Sequence, residues 1–297
     1  MDFFDSFPAM ERQDLRDFKK GIDSGFRDFS RAYGDEIEGF FEPLLHFLVW
    51  LERLLVNAPW PIVIIALGVL AWLGSRSWKL VAGTVIAFLV IGYFGMWKDT
   101  MATLAIISVA TLLCIAVGIP FGIWMARSDR VQAAVTPVLD VMQTIPSFVY
   151  LIPVVMLLGI GKVPGLIAVC IYAIPPLVRL TNLGIRLVDS EVLEAADSFG
   201  ADYRQKLFGV QIPLALPNIF AGINQTIMMS LAMVVIASMI GTRGLGDEVL
   251  LGLQQLNVGA ALEAGLAIVL LAIVLDRMTQ AYGEKIQERT QPQKKKN

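Results

Sequence analysis

An all-α integral membrane protein is the fold class this sequence predicts, on three observations. Of its 297 residues, 56% are hydrophobic and only 17% are charged, too apolar a balance for a soluble globular domain. Several apolar segments reach the roughly 20 residues a helix needs to cross a hydrocarbon core of about 30 Å. The two-residue alternation of a membrane barrel is absent, so backbone groups in lipid must be satisfied within helices. The composition also excludes other classes. A net charge of −2, with basic residues scattered or confined to the Lys294-Lys295-Lys296 tail, argues against nucleic acid as a partner. Cys114 and Cys170 fall inside apolar runs, which points to packing rather than a disulfide. His46, the only histidine, has no Cys or carboxylate cluster around it at metal-ligand spacing.

Along the chain, Leu15, Phe18, Ile22, Phe26, Phe29 and Tyr33 recur at steps of three or four, opposite Arg16, Lys19, Lys20, Asp23, Arg27 and Asp28. This is an amphipathic helix, which either lies on the membrane surface or packs on the protein as a brace. Residues 1–30 show no basic start followed by an apolar core, so no cleavable signal peptide is expected. The apolar run 44–51, bracketed by Glu42-Pro43 and Glu52-Arg53, is too short to span and reads as an interfacial or re-entrant helix. About seven spans follow, near 58–74, 80–97, 100–126, 138–160, 163–184, 214–241 and 259–276. The expected organisation is a helical tail over 1–57, two scaffold helices over 58–97, a membrane core over 98–282 and a basic tail over 283–297.

Orientation follows from lysine and arginine in the short loops. Arg76 and Lys79, then Arg127 and Arg130, then Arg179, Arg186, Arg204 and Lys206, and finally Arg277, Lys285 and Arg289 fall on one side. The opposite loops hold only Lys98, Lys162 and Arg243. The C-terminus is therefore expected in the cytoplasm and the N-terminus outside.

A polar island over 189–204 interrupts the apolar pattern on the cytoplasmic side. Pro175-Pro176 is expected to end regular helix; a short helix then restarts over Glu191 to Phe199 and stops at Gly200. Glu191, Glu194, Asp197 and Asp202 face water, and the small pair Ala195-Ala196 lets another surface approach closely. An ordinary solvated loop with a capped helix is the competing reading on these grounds alone.

Glu194-Ala195-Ala196, Gly200 and Val210-Gln211-Ile212-Pro213 resemble the EAA signature of permease subunits of type I ABC importers, with Val and Ile where that signature usually has Ile and Leu. Residues 140–153, 174–181 and 233–240 further resemble permeases for glycine betaine, proline betaine and choline. The resemblance implies a homodimeric, channel-forming subunit in a bacterial inner membrane, two cytoplasmic ATPases that bind ATP and Mg, and an extracytoplasmic substrate-binding protein. It also implies that Glu191, Glu194, Ala195, Ala196, Gly200, Asp202 and Arg204 belong to a coupling helix that docks into the ATPase. The chain has no G-x-x-x-x-G-K-[ST] phosphate loop and no nucleophile with a base, so ATP is expected on another polypeptide and no enzyme activity here.

Polar residues within spans face a cavity or a neighbouring helix. Gln143, Thr144, Asn224, Gln225, Thr226 and Ser230 are candidates to line a pathway, with Met228, Met229 and Met233 as a soft apolar surface. For a quaternary ammonium solute, Phe148 and Tyr150 offer cation–π faces, and Trp124 less so. Asp140 and Glu263 are candidate proton-relay carboxylates, which keeps an ion-coupled secondary transporter open; a helix-starting carboxylate is the simpler account. Arg243 in the turn 241–246 either meets a delivering protein or belongs to a plain loop. A non-transporting scaffold or osmosensor built on the N-terminal helix is the third reading.

Overall fold

In the computed structural model, which describes residues 9–290, helix accounts for nearly all of the described residues. The Lys294-Lys295-Lys296 tail lies outside the described residues, as do residues 1–8. Helix α1 spans Arg12–Asn57 and joins the two N-terminal pieces expected to be separate. Pro43 sits inside it. Proline removes one N–H and crowds the preceding turn, yet Leu44, Leu48, Leu51 and Leu55 follow at helical spacing and pack into the core, Leu48 completely. That burial holds the helix through the proline. Ser30 donates to the Met156 carbonyl at 2.8 Å, and Lys162 pairs with Glu52 at 2.5 Å, so α1 is braced against the following helices. Its apolar stripe at Leu15, Phe18, Ile22, Phe29 and Tyr33 stays exposed.

Helices α2 (Trp60–Ser75) and α3 (Trp78–Tyr93) form a hairpin against the last helix, α12 (Val258–Thr290). Ala58 is extended before Pro59, as the proline ring demands of its predecessor, and α2 leaves α1 at 110°. Helix α4 (Trp97–Arg127), α7 (Lys162–Arg186), α10 (Ile212–Ala237) and α12 (Val258–Thr290) make the core. Between them lie α5 (Asp129–Thr144), α6 (Ser147–Leu158), α8 (Ser190–Ser198), α9 (Tyr203–Lys206) and α11 (Leu245–Gln254). Among the described residues, four helical stretches are individually long and apolar enough to cross a membrane, and up to six spans result if each of two bent pairs is counted as one. The expected seven is not reached on that criterion, because α3 has only 16 residues.

Small residues set how closely the core helices approach. A Cβ on Gly122 of α4 would come within 2.6 Å of Thr181 and 2.8 Å of the Val178 carbonyl on α7. One on Gly184 would meet Asn218 at 2.7 Å, and one on Gly222 would meet Leu177 at 3.1 Å. In lipid, where helix association runs on packing, such contacts decide which helices pair. They also correct the expectation for Pro175-Pro176, which lie buried inside a continuous α7 rather than ending it. Gly118 on α4 and Gly222 on α10 both approach Leu177 next to the prolines, clamping the weakened turn from two sides.

The expected span 138–160 is broken. Ile145 is extended (φ −64°, ψ 130°) before Pro146, α5 ends there, and α6 leaves at 99°. The 241–246 turn leads into α11, a helix the sequence reading missed, docked where Gly246 lies against the Val235 backbone of α10. The Leu245 N–H donates to Thr103 Oγ1 at 2.9 Å, fixing the start of α11 on α4. In the first turn of α11, burial, and after it the Asp99 and Asp247 carboxylates, holds the Glu248 carboxyl above the usual carboxylate range. The two cysteines are free, with Cys114 Sγ donating to the Cys170 carbonyl at 3.7 Å across α4 and α7.

Candidate coupling element and pathway

Helix α8 buries none of its residues, so its stability comes from its ends. Asp189 caps the N-terminus by accepting from the Glu191 N–H at 2.9 Å, and Glu191 adds favourable negative charge in the first turn. At the C-terminus, Gly200 adopts φ +76°. This lets its N–H donate to the Asp197 carbonyl at 2.9 Å and the Ala201 N–H donate to the Ala196 carbonyl at 3.0 Å. The pair of bonds is a Schellman cap. Ser198 Oγ donates to the Glu194 carbonyl at 2.9 Å and tightens the last turn.

The next turn is held as firmly. The Gln205 N–H donates to Asp202 Oδ1 at 2.7 Å and the Asp202 N–H donates to Gln205 Oε1 at 2.8 Å, a reciprocal capping box that starts α9. Lys206 Nζ pairs with Asp197 at 2.5 Å, tying α9 to α8, and the Arg127 guanidinium lies 3.9 Å from the Tyr203 ring centroid, tying α9 to the end of α4. Arg186 closes the other side through Asp129 at 2.7 Å, Asn182 at 3.1 Å and the Met125 carbonyl at 3.2 Å. From α9 a five-residue π-helical stretch, Leu207–Gln211, runs into α10. The short helix thus joins α7 and α10, which are themselves locked at Gly184 and Gly222.

Glu191, Glu194 and Ala195 are exposed on this element, Ala196 is half-buried, and Arg204 is exposed on α9. Gly200 and Asp202 act through the caps just described. Phe199 was not singled out from the sequence, yet its side chain is 93% exposed at the tip, with Leu187, Val192 and Phe208 also exposed. The signal the sequence offered was an aromatic directly before Gly200 in an otherwise polar stretch. Removing the Lys206–Asp197 pair is a small perturbation by comparison. Lys206→Ala is expected to lower stability by no more than about 1 kcal/mol, since both partners are partly solvated; thermal unfolding in detergent measures this.

The candidate pathway residues divide. Gln143, Thr144 and Phe148 lie exposed around the break between α5 and α6. Tyr150 instead closes the corner: its hydroxyl donates to the Met142 carbonyl at the end of α5, and its ring meets Tyr172 edge-on at 6.5 Å. Asn224 Nδ2 donates to Asp276 Oδ1 at 2.7 Å, and Gln280 donates to the same oxygen at 2.8 Å, linking α10 to α12. Met229 packs against the cluster formed by Cys114, Ala173, Leu177 and Ile219. Met233 is fully buried, while Met228 and Trp124 remain exposed. Thr226 and Ser230 are buried with their hydroxyls unpaired. Among the described residues, no group of three or more His, Cys, Asp or Glu is placed to hold a metal ion.

Comparison with known proteins places this architecture. Residues 118–288, from α4 through α12, match the binding-protein-dependent transport system inner membrane component family. The glycine betaine/proline betaine transport system permease protein ProW of Escherichia coli is 49% identical over 85% of this chain and 71% of its own length. The glycine betaine/carnitine transport permease protein GbuB of Listeria monocytogenes is 44% identical over 84% of this chain and 91% of its own. The glycine betaine transport system permease protein OpuAB of Bacillus subtilis is 41% identical over 93% and 95%. Among solved structures, the inward-facing methionine ABC transporter MetNI superposes with a TM-score of 0.56 at 19% identity, covering 64% of this chain and 93% of that one, which shows the shared fold. The chain therefore belongs to the family of inner membrane components of binding-protein-dependent transport systems: it is the permease subunit of an ABC importer and not itself an enzyme.

Proposed function

We propose that this chain carries betaine-like compatible solutes, such as glycine betaine, proline betaine, choline or a related methylated amine, across the inner membrane. It works as a homodimer with two cytoplasmic ATPases, which bind ATP and Mg, and with an extracytoplasmic binding protein that delivers the solute. The observation that carries the reading is α8: a solvent-exposed helix, capped at both ends and tipped by Phe199, on the lever joining α7 and α10. The names of the similar permeases supply the solute class. Supporting the orientation, Arg127, Arg186, Lys206 and Lys285 gather at the end that bears α8, which is then the cytoplasmic end; the Glu52–Lys162 pair puts the close of α1 at the opposite end of α7, the side on which the N-terminus is proposed to lie.

On this reading Glu191, Glu194, Ala195, Ala196, Gly200, Asp202 and Arg204 dock with the ATPase and transmit its motion. ATP draws the two ATPases together, the paired α8 helices follow, and α7 and α10 swing the pathway from cytoplasm-facing to outside-facing. Moving such an equilibrium from 1:99 to 99:1 requires about 5.5 kcal/mol, so an element that frays in its socket would waste the stroke. Gln143, Thr144 and Phe148 line the pathway, with Tyr150, Asn224 and Met229 holding the helices that shape it. Contact with solute there is weak and brief, because a tightly held solute would not leave.

The test is import of labelled glycine betaine, proline betaine and choline into proteoliposomes bearing the complete complex, with binding protein outside and ATP inside. Import that persists when the proton gradient is collapsed and stops when ATP is withdrawn is expected. Import that follows the proton gradient and ignores ATP would overturn the proposal.

A further inference from the structure

We infer that Asp140 on α5 and Arg179 on α7 form a self-paired station for zwitterionic solute at the cytoplasmic end of the pathway. The Arg179 guanidinium takes the carboxylate, and Asp140, the carbonyl end of α5 and the Phe148 ring take the methylated ammonium. This rests on the transport reading above and adds to it residues that reading does not use.

Location is the first argument. Arg179 precedes Arg186 by two helical turns, roughly 10 Å along α7, so its pair with Asp140 lies deeper along the helix than the Arg186–Asp129 pair that closes the cytoplasmic end. Arg179 Nη2 donates to Asp140 Oδ1 at 2.5 Å, while Asp140 remains exposed on the single chain. Charges at membrane depth do not face lipid; they line a water-filled cavity or face protein. The same holds for the backbone at the Ile145-Pro146 break one turn further on, where non-helical chain at this depth needs water or protein beside it. Two independent features therefore turn one surface toward the pathway.

Chemistry is the second. The ion pair is under-used: Asp140 engages a single guanidinium nitrogen, and the adjacent Nε–H is buried with no partner. A buried donor left unmade costs free energy, and once Asp140 swings aside and uncovers the guanidinium edge, a solute carboxylate across Nε and Nη2 would satisfy both in the two-pronged geometry guanidinium favours. The displaced Asp140 is then free to face a cation. It sits one turn before Thr144, where the last carbonyls of α5 carry the negative end of the helix dipole, and Phe148 presents a half-exposed ring just past the bend. Positive and negative partners thus stand side by side, as the two ends of a small betaine do. When solute departs, the pair closes on itself, which keeps the affinity low.

Two measurements test the station. In the complete reconstituted complex, Arg179→Gln is expected to lower glycine betaine imported per ATP hydrolysed about tenfold, the loss of one charge-assisted contact. The exchange variant D140R/R179D is expected to retain ATPase copurification and ATP turnover but not to recover import. If the pair is only a clasp between helices, the exchange restores import too, and the inference falls. If wild-type complex imports no betaine, the transport reading itself has failed, which is a different outcome from wild-type import that Arg179→Gln leaves unchanged. The second measurement uses Gln143→Cys in a chain whose Cys114 and Cys170 are replaced by alanine. Its thiolate attacks a trimethylammonium methanethiosulfonate, forming a mixed disulfide and releasing methanesulfinate. Labelling slowed by glycine betaine but not by sucrose of equal osmolarity is expected; no labelling, or labelling indifferent to glycine betaine, overturns the inference.

Discussion

Gly200→Val is expected to abolish ATP-driven import while leaving the membrane core folded. Nothing lies within 4 Å of the Cβ such a change would add, so the effect arises from the backbone alone. At φ +76° a β-branched residue is strained by roughly 1–3 kcal/mol, and relief comes by abandoning the two bonds that end α8 at Asp197 and Ala196. The last turn then unwinds beneath Phe199. Because open space surrounds Gly200, a graded series isolates the cause: Gly200→Asn, which tolerates the left-handed region, should retain most import, Gly200→Ala should retain part of it, and Gly200→Val none. Measuring import and ATPase copurification across the three distinguishes loss of the cap from loss of a contact. Glu194→Arg acts differently, changing the face proposed to dock rather than its frame, and is expected to weaken ATPase copurification.

The largest effect on stability is expected from Gly122→Leu. The added Cβ would lie 2.6 Å from Thr181 and 2.8 Å from the Val178 carbonyl, and a backbone oxygen cannot step aside as a flexible side chain can. Helices α4 and α7 must separate, opening the surface that also receives Gly118 and Leu177. The expected cost is about 3 kcal/mol or more, seen as a lost yield of monodisperse protein and a lowered melting temperature in detergent. Gly83→Leu is the control: nothing lies within 4 Å of that position, and it should behave as wild type.

Prolines show how far local sequence carries. Pro43, Pro146 and the Pro175-Pro176 pair give the same local signal, yet only Pro146 breaks its span. Leucines following Pro43 bury into the core, and glycines from α4 and α10 close around Pro176-Leu177, so tertiary packing outweighs the lost hydrogen bonds. No such clamp surrounds Ile145-Pro146, where the polar chain around the break stays exposed on the single chain. The outcome depends on partners distant in sequence, which periodicity along one segment cannot reveal. By contrast, the short helix with its stop at Gly200 was legible because Asp189 and Gly200 act within their own turn. The Asn224–Asp276 bond joins residues 52 apart, and nothing near Asn224 announces it. The missed α11 did leave a trace: an Asp247-Glu248 pair placed in a first turn just after Gly244 and ahead of leucines.

If α8 is where force enters the permease, as proposed, Phe199 at its tip meets the ATPase. Placing a photo-reactive phenylalanine analogue at position 199 in the complete complex and irradiating it should give a single adduct, with the ATPase subunit. An adduct with lipid or with a second copy of this chain, and none with the ATPase, would contradict the account.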